Sequence, residues 1–358
     1  MQATLPHTSR YLAGKDPMKI SRRKTLWMIA TALLTGCSSS EVVQPLAEQA
    51  CPVPGVDGAP FEAPLSALQA SFRCFPATGA SGKPTVLLVH GTSLDSENNF
   101  SWNYIPALTD LGYPVCTVDL PNFGQDDIQA SAEFVVHAIR EAARGSAGKL
   151  RVVGYSQGGM IPRWALRFWP DTRELVEEVI AIAGSNHGTL VANAACAESC
   201  PASNWQQAFE SNFILALNKD FETLPGIDYT NIYTHMDEIV QPNLDDSGST
   251  SLAGGANVTN VAVQDVCPGH VADHLALGSY DAVAWALTLD ALDNPGPADP
   301  ARFEIASCAE PFMPGVNPAS FAADYAAMGE VLVNANAGSD RPTEEPPLKC
   351  YVSSGAKP

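Results

Sequence analysis

From residue 84 onward, short apolar runs alternate with amphipathic stretches. Residues 86–90 (VLLVH) and 115–120 (VCTVDL) are mostly apolar runs of strand length, the pattern of strands buried on both faces of a parallel sheet. Residues 128–144 instead space Ile128, Ala132, Phe134–Val136 and Ile139 at helical intervals. Residues 149–155 (KLRVVGY) read as a strand and 157–169 as a helix, with a kink expected at Pro162. Strands at 179–183 (VIAIA), 229–234 and 258–263 follow, then an Ala-rich helix over 321–333. Strands alternating with helices predict an α/β fold with a mostly parallel central sheet and helices on both faces.

The amino end follows another pattern. Residues 18–24 (MKISRRK) are basic and 26–36 (LWMIATALLTG) apolar, a stretch too short for an ordinary membrane-spanning helix of about 20 residues. It ends in Leu34-Thr35-Gly36-Cys37, which resembles a bacterial lipobox. That resemblance implies cleavage before Cys37, lipid attachment to its sulfur, and placement in the cell envelope. Ser38, where inner-membrane retention signals carry Asp, points to the outer membrane; an unused lipobox would leave the protein secreted. Residues 38–60 are small, polar and Pro-rich, suited to a tether. The organisation expected is therefore 1–37 signal peptide, 38–60 tether, 61–350 catalytic domain with a pocket-covering C-terminal helix, and 351–358 tail.

Beyond Cys37 the chain carries 14 Lys and Arg against 38 Asp and Glu, a net charge of −24. No basic stripe is left to meet phosphates, so nucleic acid is excluded as a partner. Setting Cys37 aside leaves eight of the nine cysteines, an even number that reads as disulfides in an exported protein. Cys196-x3-Cys200 lacks the second pair a zinc site would need, so no metal is expected.

The chemistry centres on residues 152–160 (VVGYSQGGM), where a strand runs into Gly154-Tyr155-Ser156-Gln157-Gly158. G-x-S-x-G between a strand and a helix is the nucleophile elbow, which holds a serine hydroxyl on a strained turn above the sheet. Serine is a weak nucleophile unless a base takes its proton and an acid orients that base. Of the seven histidines, His270 and His274 lie late enough in the chain, and His274 is preferred because it follows the last strand directly after Asp273. His187 precedes any plausible acid. Asp237, just beyond the 229–234 strand, is the expected acid, with Glu238 the alternative. The tetrahedral oxyanion needs preorganised donors. The expected ones are the N–H of Gln157 and, in the His90-Gly91-Thr92 turn, Thr92 through its N–H and hydroxyl.

Residues 87–92 (LLVHGT), 111–121 (LGYPVCTVDLP), 154–160 (GYSQGGM), 231–242 (NIYTHMDEIVQP) and 266–274 (VC…DH) together resemble the family of Candida antarctica lipase B-like lipases, within the α/β-hydrolase superfamily. The resemblance runs from about residue 65 to residue 350. It implies the α/β-hydrolase fold, a triad of Ser156, Asp237 and His274, and an oxyanion hole of Thr92 and Gln157. It implies the disulfides Cys74–Cys116 and Cys267–Cys308; spacing alone suggests Cys196–Cys200, and elimination leaves Cys51–Cys350. Two residues depart from the family: Tyr155 replaces a Trp on the alcohol side of the pocket, and Ser185 an Asp on the acyl side. In that family residues 190–195 and 321–333 flank the site, so Val191, Phe321, Met328 and Val331 are expected at the pocket rim.

The leading expectation is a monomeric serine carboxylic-ester hydrolase, a lipase or esterase, acting on triglycerides or aliphatic esters and held to a membrane by its lipid anchor. It needs no cofactor. A polyester hydrolase or acyltransferase with the same triad is one alternative; a non-catalytic surface lipoprotein with a hydrolase fold is another.

Overall fold

The computed structural model describes residues 55–77 and 82–353. The leader with Cys37, most of the tether, and Cys51 lie outside the described residues.

Seven strands form one sheet: β1 (Phe72–Phe75), β2 (Val86–Val89), β3 (Val115–Val118), β4 (Leu150–Tyr155), β5 (Val176–Ile182), β6 (Asp228–Tyr233) and β7 (Val258–Ala262). Their order is β1-β3-β2-β4-β5-β6-β7, with β1 antiparallel to β3 and every other pair parallel. Because side chains alternate along a strand, the sheet feeds two cores. Leu87, Val89 and Val152 join the core of the helices Ile128–Gly145 and Gln157–Phe168. Val86, Leu88, Val153 and Tyr155 join the core on the other face, with the helices Tyr104–Asp110 and Ala282–Asp293. Each buried Leu, Ile or Val side chain contributes about 1.5–3 kcal/mol relative to exposure.

The helix Gln157–Phe168 runs on through Pro162. β5 begins three residues before its apolar run, because Glu178 is a buried strand residue. Its carboxylate accepts from Arg151 on β4 at 2.9 Å and from the Thr230 hydroxyl on β6 at 2.8 Å. The Ala-rich helix extends to Gly338, as Phe321–Gly338.

Disulfides join Cys74 to Cys116, Cys196 to Cys200 and Cys267 to Cys308. The first links directly paired residues of β1 and β3. Cys350 is also disulfide-bonded; the partner expected for it, Cys51, lies outside the described residues. Beyond Cys350 the chain stays packed: Tyr351 meets the rings of Trp164, Phe168 and Trp169 and accepts a hydrogen bond from Trp164 Nε1 at 2.9 Å. Residues at the end of the expected tether are bonded too, through Trp169 Nε1 to Ala59 O and Asp171 N to Val56 O. Among the described residues no helix is long and apolar enough to cross a membrane.

Candidate active site

The strand β4 ends at Tyr155, and Ser156 turns the chain into the next helix with φ 54° and ψ −122°. This left-handed conformation is strained for a residue with a side chain. Close packing around it enforces the turn. A Cβ on Gly154 would sit 1.9 Å from the Gly158 carbonyl oxygen, and one on Gly158 would sit 2.0 Å from the Val89 carbonyl oxygen. Glycine is therefore required at both positions of G-x-S-x-G, and the elbow helix lies directly against the end of β2.

His90 holds the loop that leaves β2. Its ring is fully buried, which pushes its pKa below the ordinary value. Nε2 accepts from the Leu120 N–H at 2.9 Å, so the proton is assigned to Nδ1, which donates to the Gly91 carbonyl at 2.8 Å. Next to it, Thr92 Oγ1 accepts from Gln157 Nε2 at 3.1 Å. The two residues expected as oxyanion donors are thus tied to each other.

Asp237 lies four residues past the end of β6, and its carboxylate is saturated. Oδ1 accepts from the N–H groups of Ile239 at 3.0 Å and Val240 at 2.7 Å, while Oδ2 faces His274 Nδ1 at 3.0 Å. Both side chains are almost wholly buried. Asp237 thereby fixes His274 as the Nδ1–H tautomer and leaves Nε2 with its lone pair free. His274 opens a short helix, His274–Leu277, capped by Asp273, whose carboxylate accepts from Ala276 N. Tyr155 supports the ring from below, with ring centroids 5.0 Å apart, and its hydroxyl donates to the His274 carbonyl at 3.1 Å.

The alternatives go elsewhere. His270 Nε2 meets Asp281 at 2.5 Å, and that carboxylate caps the helix Ala282–Asp293. His187 Nε2 meets Glu222 at 3.1 Å. Glu238 accepts the His274 backbone N–H at 3.0 Å and so braces His274 from the main chain.

Ser156, His274, Thr92 and Tyr155 line one cavity of about 350 Å³. Val191 lines it as well, with Ala192, Ala195, Val240, Leu275 and Leu332 completing an apolar wall. Of the other expected rim residues, Phe321, Met328 and Val331 are not among the lining residues and pack into or against the core. The helix presents Leu332 and Asn336, one turn apart, to the cavity instead. Ser185 is not in the lining either. It lies behind the wall and donates to Gln207 Oε1 at 2.9 Å. Gln207 and Thr189, which line the cavity, carry no motif that sequence reasoning could have used.

A model for the family described as Lipase (class 2) matches residues 83–267. The chain belongs to the class 2 lipase family. The matched span holds the elbow and Asp237 and ends seven residues before His274. This family member is 38% identical over 220 residues to Lipase B of Pseudozyma antarctica, an alignment covering 60% of this chain and 63% of that protein. Among solved structures it resembles the lipase B of Aspergillus fumigatus, with a TM-score of 0.74 and 28% identity over 84% of this chain and 74% of that one. Its sheet and helices are those of the α/β-hydrolase fold.

Proposed function

We propose that the protein is a serine carboxylic-ester hydrolase, a lipase or esterase working through an acyl-enzyme. The observation that carries this reading is the convergence of Ser156, on its strained turn, and the buried Asp237–His274 pair on one apolar cavity. Ser156 Oγ adds to the ester carbonyl as His274 Nε2 takes its proton, and Asp237 stabilises the imidazolium that forms. The negative charge on the carbonyl oxygen meets the N–H groups of Thr92 and Gln157 and the Thr92 hydroxyl, donors worth roughly 3–4 kcal/mol each. His274 returns the proton to the departing alcohol, and water then repeats the sequence on the acyl-enzyme. The apolar wall of Val191, Ala192, Val240 and Leu332 suits an acyl chain. The lipase B relatives support an ester or lipid substrate, which we take to be triglycerides or aliphatic esters. The proposal also includes monomeric export, with Cys37 as lipid anchor in the cell envelope and residues 38–60 as the tether.

The test is a p-nitrophenyl ester series from acetate to palmitate, run on the parent, Ser156→Ala and His274→Ala. Both variants should lose at least about 10⁴-fold in kcat, since the triad acts as a unit. The parent should prefer medium or long acyl chains. Ser156→Ala activity within tenfold of the parent would remove the serine from the mechanism, and a strong preference for acetate would restrict the reading to an esterase.

A further inference from the structure

A threonine hydroxyl carries one proton to donate and two lone pairs to accept with. At Thr92 both acceptor positions are taken: Gln157 Nε2 donates to Oγ1 at 3.1 Å and Gln207 Nε2 at 3.0 Å. Neither amide can turn round. Gln157 Nε2 also donates to the Gly124 carbonyl at 2.9 Å and Gln207 Nε2 to the Ser203 carbonyl at 3.2 Å, so a reversed amide would set oxygen against oxygen. The other end of Gln207 is held as well, because Oε1 accepts the Ser185 hydroxyl. Its backbone is fixed by an N–H to the Ser203 carbonyl at 2.9 Å and by a carbonyl that accepts from Thr189 at 2.8 Å. The two glutamines are 0% and 6% exposed, so water does not compete for these bonds.

The Thr92 proton therefore points away from both amides, and among the described residues no acceptor is bonded to it. Thr92 and Gln207 both line the cavity that holds Ser156. We propose that Gln207 is a positioning residue of the oxyanion hole. With the Gln157 side chain it fills the acceptor sites of Thr92 and makes its hydroxyl an obligate donor to the developing oxyanion, and Ser185 keeps Gln207 in that orientation. This rests on the serine-hydrolase reading. A free hydroxyl samples three staggered positions and accepts as readily as it donates. A hydroxyl with both lone pairs engaged is set before the charge appears, the condition under which such a donor contributes most.

The test is a mutant cycle on p-nitrophenyl butyrate hydrolysis, with native folding checked by thermal melts. Thr92→Val should lower kcat about 100-fold, the usual cost of one oxyanion donor. Gln207→Glu presents an acceptor where the amide donated and draws the Thr92 proton to itself. It should cost about as much as Thr92→Val at pH 8, in kcat more than in KM. Its rate relative to the parent should recover as pH falls and the introduced carboxyl, once protonated, becomes a donor again. Gln207→Met should cost about tenfold. In the Thr92→Val background neither Gln207 change should cost more than about twofold further, whereas in Thr92→Ser the cost of Gln207→Glu should return. If Gln207→Glu does not fold, Gln207→Met carries the same cycle. Costs that multiply in the Val background, or Gln207→Glu within threefold of the parent at every pH, would overturn the proposal. Ser156→Ala runs alongside: if it stays active the hydrolase reading fails, whereas if it is dead and the cycle multiplies, only the role of Gln207 falls.

Discussion

Gly158→Ala sets two magnitudes of opposite sign against each other. Replacing a helical glycine by alanine ordinarily stabilises by up to about 1 kcal/mol. Here the new Cβ would lie 2.0 Å from the Val89 carbonyl oxygen and 2.5 Å from that of His90, against an ordinary contact of at least 3.4 Å. The obstacle is the backbone of β2 and the oxyanion loop, which cannot swing aside as the end of a side chain can. Overpacking of a core usually costs about 1–3 kcal/mol, and a displacement of more than 1 Å between strand and helix belongs at or beyond the top of that range. Sterics should therefore win, with a net loss of roughly 3 kcal/mol and a thermal midpoint about 5–10 °C lower. Activity should fall further than stability. The shift separates Gln157 from Thr92, and an error of about 1 Å in a catalytic arrangement costs around 100-fold. Differential scanning fluorimetry and ester hydrolysis on a glycine series measure both. Gly154→Ala, with its clash at 1.9 Å, should match Gly158→Ala, and Gly159→Ala, whose nearest neighbour is the Ala181 methyl at 3.1 Å, should be mild. Gly329→Ala, in the Phe321–Gly338 helix with nothing within 4 Å, should be neutral or stabilising. A Gly158→Ala protein melting within about 1 °C of the parent at full activity would show that the elbow does not depend on this contact.

Two further predictions concern parts of the chain away from the elbow. Burial pushes the Glu178 carboxyl up to about 7, against the pull of Thr230 and Arg151. An acid whose pKa is raised by folding stabilises most below its unfolded value of about 4.5 and loses that contribution as pH rises through about 7. The parent should therefore lose stability relative to Glu178→Gln across that window, by at most ~1.4 kcal/mol per pH unit; parallel pH–stability curves would refute it. At the amino end, if Cys37 carries lipid, the parent should partition into detergent and Cys37→Ala should leave the precursor uncleaved or release soluble protein; a soluble, normally processed parent would leave the protein simply secreted.

The sheet was legible where parallel strands are buried on both faces: 86–89 are wholly apolar, and 115–118 and 150–155 each carry a single polar interruption, Thr117 and Arg151, inside an apolar run. It was illegible where a charge or an edge intervened. Glu177 and Glu178 hid the start of β5, since pairing a buried carboxylate with Arg151 and Thr230 is a tertiary event. β1 (FRCF) is a half-exposed edge strand, and nothing in its pattern separates it from a loop. The candidate site divides in the same way. Ser156, Asp237 and His274 could be assigned because each sits at a fixed offset from a strand end. Of the pocket wall, Tyr155 and Val191 were readable, but the face of the long C-terminal helix was not, because a helix presents a new face every 100° and only packing decides which. Met328 therefore went to the core and Leu332 to the cavity. Gln207 sits just past a five-residue helix, and its partners Thr92 and Ser185 lie 115 and 22 residues away.

The spacing of the sheet explains why the loop after β7 is so heavily tied down. Ser156 leaves β4 and Asp237 follows β6, with β5 between them, so their strand ends stand two strand spacings apart, or about 10 Å. No hydrogen bond spans that gap, and His274 has to be brought back from β7 to fill it. The returning segment is stapled at several points. Gln264 Nε2 donates to Thr234 Oγ1 at 2.9 Å and to the His270 carbonyl at 3.1 Å, and the Thr234 hydroxyl donates to the Ala272 carbonyl at 2.8 Å. Cys267–Cys308 fixes its base, and Glu238 takes the His274 N–H at its tip. These ties hold the segment that carries the histidine, with Glu238 on the His274 N–H itself, and leave Asp237 and the Tyr155 ring to set the side chain. In this arrangement Asp237 and the staples of the returning segment lie outside the cavity lining, and only Tyr155 and Glu238 both hold His274 and face the cavity. That leaves the cavity wall of Val191, Leu332 and Asn336 free to vary with the ester it accepts while the proton-transfer geometry stays fixed.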